Sequence, residues 1–292
     1  MSEIIDFSSR FTADYIAWCQ KHPDISSDDG KMEDIFPKQY EKWYTSPKKW
    51  LNGKTPIEYF EEINDAQIYA SMFVSYIEME MDVPEPLIDC MINMKRDIFP
   101  ILRNILFVDA SDEISNDALS NVRAKIVSLI DEMQLEHPYG RYISLLIDKA
   151  QPDDDLTETL CLALEETDKP VEVRKALLDV YPMCDGTAKE CVLDLLCGFD
   201  DNDGTVCSIL IEEFKRDDIS LGYTAELAGK LGDERLLPYL KNAFDDISND
   251  YMTYTSLKYA IERITGDELE NKDFTGDPDY DLLTHIADEE IE

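Results

Sequence analysis

The 292-residue sequence predicts an all-α protein, an α-α superhelix of stacked helical hairpins behind an atypical helical N-terminal cap. Three observations predict it. There are only 11 glycines, and no segment alternates β-branched residues in strict period two. Apolar residues instead recur every three or four positions through a series of short segments. Two stretches also recur at spacings that suit helix-pair repeats.

The first 65 residues form the predicted cap. Phe11, Tyr15, Trp18 and Cys19 mark a first helix, and residues 21–34, rich in Asp and Ser, are expected to form a loop. All three tryptophans (Trp18, Trp43, Trp50) lie here. Ser46-Pro47 and Thr55-Pro56 each read as an N-cap followed by the first helical residue, and Thr55 with Glu58 makes a capping box. Gly53, after Leu51 and Asn52, stops the short helix between them. Terminal units of a repeat array are atypical, which is why this segment reads as a cap. The helix expected over 66–81 is apolar on several faces (Ile68, Tyr69, Met72, Phe73, Tyr76, Ile77), so it belongs between cap and repeats.

Residues 66–266 carry the repeats. Leu156, Leu160, Ala163 and Leu164 keep helical spacing, as do Val173, Ala176, Leu177 and Val180. The pattern continues through Val192–Phe199, Val206–Phe214, Ile219–Leu231, Leu236–Phe244 and Tyr254–Ile264. Start signals punctuate it: Thr187 with Glu190 reads as a capping box, and Asp168 precedes Pro170. Leu231-Gly232-Asp233-Glu234 is echoed 34 positions later by Gly266-Asp267-Glu268. Glycine there suits a left-handed C-cap and aspartate the next N-cap. Ile98–Leu106 lines up with Leu236–Phe244, with Pro100 over Pro238, each expected in the first turn of a second helix. From Asp267 to residue 292 the chain is acidic and poor in apolar residues, which predicts a flexible end with at most one short helix.

The stretch Tyr223-Thr224-Ala225-Glu226-Leu227-Ala228-Gly229-Lys230-Leu231-Gly232-Asp233-Glu234-Arg235-Leu236-Leu237-Pro238-Tyr239-Leu240 resembles the HEAT-like repeat also found in bilin-lyase-type proteins. In that family a first helix ends in Leu-Gly-Asp and a second carries a proline and paired leucines. The match is clearest over residues 219–266. The resemblance implies a HEAT-like solenoid that binds macromolecules along a concave face. It carries no lyase chemistry, because no chromophore-attachment motif is present to transfer.

Charge is the compositional outlier: 27 Lys and Arg face 64 Asp and Glu, a net charge of −37. Such a field repels phosphate backbones and anionic lipid, so nucleic acid and membranes are disfavoured partners and a basic protein is favoured. The hydrophobic fraction of 44% is that of a globular chain. No basic leader precedes an apolar stretch and no apolar run reaches the ~18 residues a membrane span requires. The seven cysteines (19, 90, 161, 184, 191, 197, 207) include no C-x-x-C pair and mostly fall on apolar stripes. They read as small buried hydrophobes in a reducing, cytoplasmic setting.

No catalytic residue, metal ligand or cofactor site is identified. Asp200-Asp201-Asn202-Asp203-Gly204 looks like the start of an EF-hand loop. With Gly204 at position six, however, Phe199 and Leu210 fall where carboxylates are needed. Asp277, Asp279 and Asp281 lack the glycine. His22, His137 and His285 are scattered. Gly229-Lys230 is no phosphate loop, since Thr224 and Leu231 replace the glycine and the hydroxyl. One patch stands against the acidic background. Lys38, Lys42, Lys48, Lys49 and Lys54 interleave with Tyr40, Trp43, Tyr44 and Trp50. Lys42, Trp43, Lys48, Lys49 and Trp50 are therefore the partner-binding candidates. The competing reading is that the aromatics anchor the cap while lysine stems cover them. The expected function is a non-catalytic protein–protein interaction scaffold with an acidic helical-repeat surface. The alternatives are a nucleic-acid glycosylase-like enzyme using the solenoid groove, or a weak calcium-binding regulatory module.

Overall fold

The computed structural model of the chain describes residues 4–108, 116–149, 154–216, 220–247 and 250–289. Ile219, used above in the helical pattern, lies outside these residues, as does the side chain of His285. Among the described residues the fold is all-α: 17 α-helices and three 3-10 turns, with no strand. No helix among them is long and apolar enough to cross a membrane. The chain divides into two compact units, Met1–Arg141 with Asp153–Leu160, and Tyr142–Pro152 with Cys161–Glu292.

The first unit begins with α1 (Phe7–Lys21), α2 (Pro23–Ser26), α3 (Asp29–Tyr44) and α4 (Pro56–Glu61). Asp6 starts α1 by accepting Ser9 N–H at 2.8 Å. The loop expected over 21–34 is mostly helical. Pro23 opens α2 and Asp28 accepts Lys31 N–H to start α3, while Asp24, Ser26, Asp29 and Asp34 lie within the two helices. The Thr55–Glu58 capping box forms in both directions, at 3.1 and 2.8 Å. Ser46 is not an N-cap; its hydroxyl donates back to Lys42 O at the end of α3. Asn52 (φ 57°) and Gly53 (φ 87°) stop the 3-10 turn Lys49–Leu51. Phe7 centres an aromatic core, with ring centroids 5.2 Å from Phe60, 5.7 Å from Trp50 and 6.5 Å from Tyr44.

Helix α4 packs against α6 (Glu85–Asn93), and α5 (Ala66–Glu78) packs against α6, α7 (Lys95–Phe107) and α8 (Asn116–Glu132). Helix α5 buries Tyr69, Met72, Phe73 and Tyr76, and the Tyr76 hydroxyl donates to Ile5 O at 2.8 Å. Pro100 sits inside α7 and not in its first turn, because α7 starts at Lys95. The alignment with Pro238 therefore does not hold in helix phase.

The second unit contains α11 (Pro170–Val180), α12 (Gly186–Cys197), α13 (Thr205–Glu213), α14 (Leu221–Leu231), α15 (Leu237–Asp246), α16 (Tyr251–Thr265) and α17 (Pro278–Glu289). It also holds the end of α10 (Asp155–Glu165); α9 spans Tyr139–Lys149. Gly232 and Gly266 are left-handed C-caps, at φ 71° and 74°, as the sequence echo predicts. Asp233 accepts Arg235 N–H and starts a 3-10 turn that leads into α15, where Pro238 stands in the first turn. Thr187 caps nothing: α12 already begins at Gly186, with Asp185 as its N-cap. Gly229 is not a phosphate-loop residue but a packing device, since a Cβ there would lie 3.0 Å from Ala260 Cα of α16. Its neighbour Lys230 joins three helices, donating to Glu165 of α10 at 2.7 Å and Asp194 of α12 at 2.9 Å.

The acidic end carries a terminal helix, α17, as expected, but the segment before that helix is anchored. Phe274 is buried, its ring 4.7 Å from Tyr254 and 5.6 Å from Tyr251, and Asp277 caps α17 by accepting Asp279 N–H. One aromatic side chain anchors a segment whose composition is otherwise that of a solvated tail. Of the seven free cysteines, Cys197 and Cys207 are buried and five are half-buried, so the expectation of buried thiols holds for two.

Candidate functional site

The structure gathers three of the five candidate residues and leaves two beside them. Lys42, Trp43 and Lys48 line a recess of about 170 Å³ with Asp14, Tyr15 and Trp18. Trp43 is buried, its indole N–H donating to Asp14 at 2.7 Å, and the Lys48 ammonium lies 4.0 Å above its ring. Burial pulls the Lys48 pKa down, against the opposing attraction of Asp14. Lys49 and Trp50 lie on the following 3-10 turn, outside that lining. Trp50 is 37% exposed and carries the Arg10 guanidinium 4.3 Å above its ring. A cation of this chain thus already lies over one face of each indole.

A larger depression opens elsewhere in the first unit. A groove of about 690 Å³ runs between α5, the 79–84 link, α8 and the first turns of α10. Phe73, Ile77, Val83, Ile88 and Leu129 give it an apolar lining. Five exposed carboxylates, Glu80, Asp82, Glu132, Asp155 and Glu158, share it with one cation, Lys125. Apolar lining with an acidic border is the complement of a basic amphipathic segment. Sequence reasoning missed this groove because its carboxylates come from three separate stretches.

The second unit holds a recess of about 380 Å³ bordered by Lys189, Glu190, Glu213, Arg216, Ser220 and Tyr223. Its central group is Glu213, only 6% exposed. One carboxylate oxygen accepts from Tyr181 Oη at 3.0 Å and Lys189 Nζ at 2.9 Å, and Arg216 approaches both oxygens at 3.3–3.4 Å. Two cations and a phenol satisfy this carboxylate, which makes the cluster a buried ionic network. A signal for it did exist: Glu213 continues the buried stripe of Val206 and Leu210.

The acidic turn with EF-hand character is committed internally. Asp201 accepts Arg174 Nη2 at 2.7 Å together with Val206 N–H and Cys207 N–H, capping α13 from upstream. Asp203 pairs with the same guanidinium, whose hydrogen bond holds its carboxyl well below the usual range. Among the described residues no group of three His, Cys, Asp or Glu side chains is arranged to hold a metal ion. No family model, no curated protein and no solved structure matches the chain.

Proposed function

We propose that this chain is a non-catalytic interaction protein, a HEAT-like helical-repeat adaptor that presents an acidic surface to a basic protein partner in the cytoplasm. The observation that carries this reading is the groove of the first unit, where five carboxylates and one lysine border an apolar lining. The net charge of −37 extends the same field over the molecule and would steer a basic partner toward it. Helices α10, α12, α14 and α16 begin at residues 155, 186, 221 and 251, and Lys230 ties the first three together. That spacing supports the repeat reading. Seven free cysteines suit a reducing compartment. The acidic border argues against a groove for nucleic acid, and Arg174 takes up the carboxylates that a calcium loop would need.

A fluorescent Leu/Lys amphipathic helix, titrated at low and high salt, tests the proposal. Binding is expected to saturate, to weaken with salt, and to be lost in Glu132→Lys/Glu158→Lys but retained in Glu268→Lys, an exposed acid of the other unit. Equal loss in both variants, or indifference to salt, refutes the groove.

A further inference from the structure

A second recess of the first unit has walls of a different chemistry. It measures about 490 Å³ and lies between the C-terminal half of α3, α4 and the start of α6. Phe36, Tyr40, Tyr44 and Pro86 supply flat apolar walls, with Phe36 44% exposed and Tyr44 buried. Tyr40 bridges its neighbours, 6.2 Å from Phe36 and 4.6 Å from Tyr44 between ring centroids. Glu41, Glu85 and Asp89, all exposed, stand at its edge, and no Lys or Arg is among its lining residues.

We propose that this recess is an anchor for one arginine side chain of a partner protein, its guanidinium stacked on the Phe36 and Tyr40 rings and paired with Glu85 and Asp89. Three carboxylates without a cation leave an uncompensated negative potential beside aromatic faces. Both features attract the same group, a cation with an apolar flank. Arginine fits better than lysine, because its guanidinium is planar, weakly hydrated and able to fork onto a carboxylate while stacking on a ring. The tyrosines register that potential. Burial raises the pKa of both Tyr40 and Tyr44, and Glu85 pushes each further in the same direction. The contrast with the Trp43 and Trp50 patch is instructive. There Lys48 and Arg10 of this chain cover the rings, whereas the recess of Phe36 and Tyr40 has carboxylates for neighbours. The anchor deepens the proposed adaptor function by naming a residue the basic partner would present.

The probes are N-acetyl-arginine amide, its neutral isostere N-acetyl-citrulline amide, and N-acetyl-lysine amide. Each is titrated into the full chain carrying 3-fluorotyrosine, with Tyr40→Phe and Tyr44→Phe assigning the two fluorine resonances. The arginine amide is expected to shift both resonances saturably, with a midpoint at least threefold below that of the lysine amide, while the citrulline amide leaves them in place. Glu85→Gln/Asp89→Asn, which replaces two exposed acids and should leave the thermal midpoint unchanged, is expected to raise the arginine midpoint at least fivefold. Equal shifts with citrulline, equal affinity for lysine, or an unchanged midpoint in the double variant overturns the anchor. The adaptor reading is judged separately by the amphipathic-helix titration and its Glu132/Glu158 variants, so failure of one is not failure of the other.

Discussion

Glu212 and Glu213 are adjacent, identical in chemistry and opposite in consequence, and replacing each by glutamine tests the electrostatic account of the second unit. Glu212 pairs with Lys215 at 2.6 Å, but their side chains are 72% and 54% exposed. Solvent screens such a pair, and its loss costs about 0–1 kcal/mol. The Glu213 side chain is 7% exposed and partners Lys189, Arg216 and Tyr181. Breaking a buried pair from one side costs about 3–5 kcal/mol, because the remaining charge stays desolvated. Here Lys189 and Arg216 keep 26% and 41% of their side-chain surface and can turn toward water, which places Glu213→Gln near the lower end, about 3 kcal/mol. Urea unfolding followed by circular dichroism reads the difference as a displaced midpoint at unchanged slope. Glu213→Leu combined with Lys189→Met should restore part of the loss, since it removes one of the two stranded cations as well as their shared partner. Equal midpoints for Glu212→Gln and Glu213→Gln would refute the assignment of Glu213 as a buried ionic centre.

Gly229→Ala should destabilise by about 1–2 kcal/mol, because a Cβ held 3.0 Å from Ala260 Cα forces helices apart and outweighs the ~1 kcal/mol gained in helix propensity. Gly140→Ala, in open space within α9, should be neutral or slightly stabilising in the same assay; if the two behave alike, close packing of α14 on α16 is wrong. Asp201→Ala removes a cap and a guanidinium partner together and should cost about 2–4 kcal/mol by chemical unfolding, a loss that calcium does not mimic or repair. Burial raises the Tyr69 pKa to about 12, and Tyr76, Tyr181 and Tyr223 lie higher still. The folded state therefore holds these phenolic protons more tightly than the unfolded state. Stability should be fully present below about pH 10 and lost as pH climbs through 12. A phenolate absorbance titration should show their ionisation lagging until the chain unfolds, and early ionisation of a folded chain would contradict it.

The helices were legible because burial writes itself into spacing. Val192, Leu196, Val206 and Leu210 fall on predicted stripes and are fully buried. Terminal signals were legible where the cap is local: Thr55 with Glu58, Gly232, Gly266. They failed where the helix starts ahead of the expected motif, as α12 does at Gly186 before Thr187, and where an upstream side chain supplies the cap, as Asp201 does for α13. The predicted loop over 21–34 failed because aspartate favours loops and helix starts alike. The basic-aromatic patch was visible as composition. Which of its rings already carry a cation depended on Asp14 and Arg10, both distant in sequence. The acidic recesses were hidden because each collects its carboxylates from separate segments of a chain with 64 acids to choose from.

The aromatic core around Phe7 gives the molecule an internal reporter. Trp18, Trp43 and Trp50 are its only tryptophans, and all three belong to the first unit. Indole emission excited at long wavelength therefore follows that unit alone, while helicity follows both. If the two signals melt at one temperature, the units unfold as a single cooperative body; if emission changes at its own temperature, they unfold independently. The same emission, sensitive to charge near the indoles, offers a label-free signal for ligands arriving beside Trp43, whose ring lies 5.0 Å from that of Tyr44.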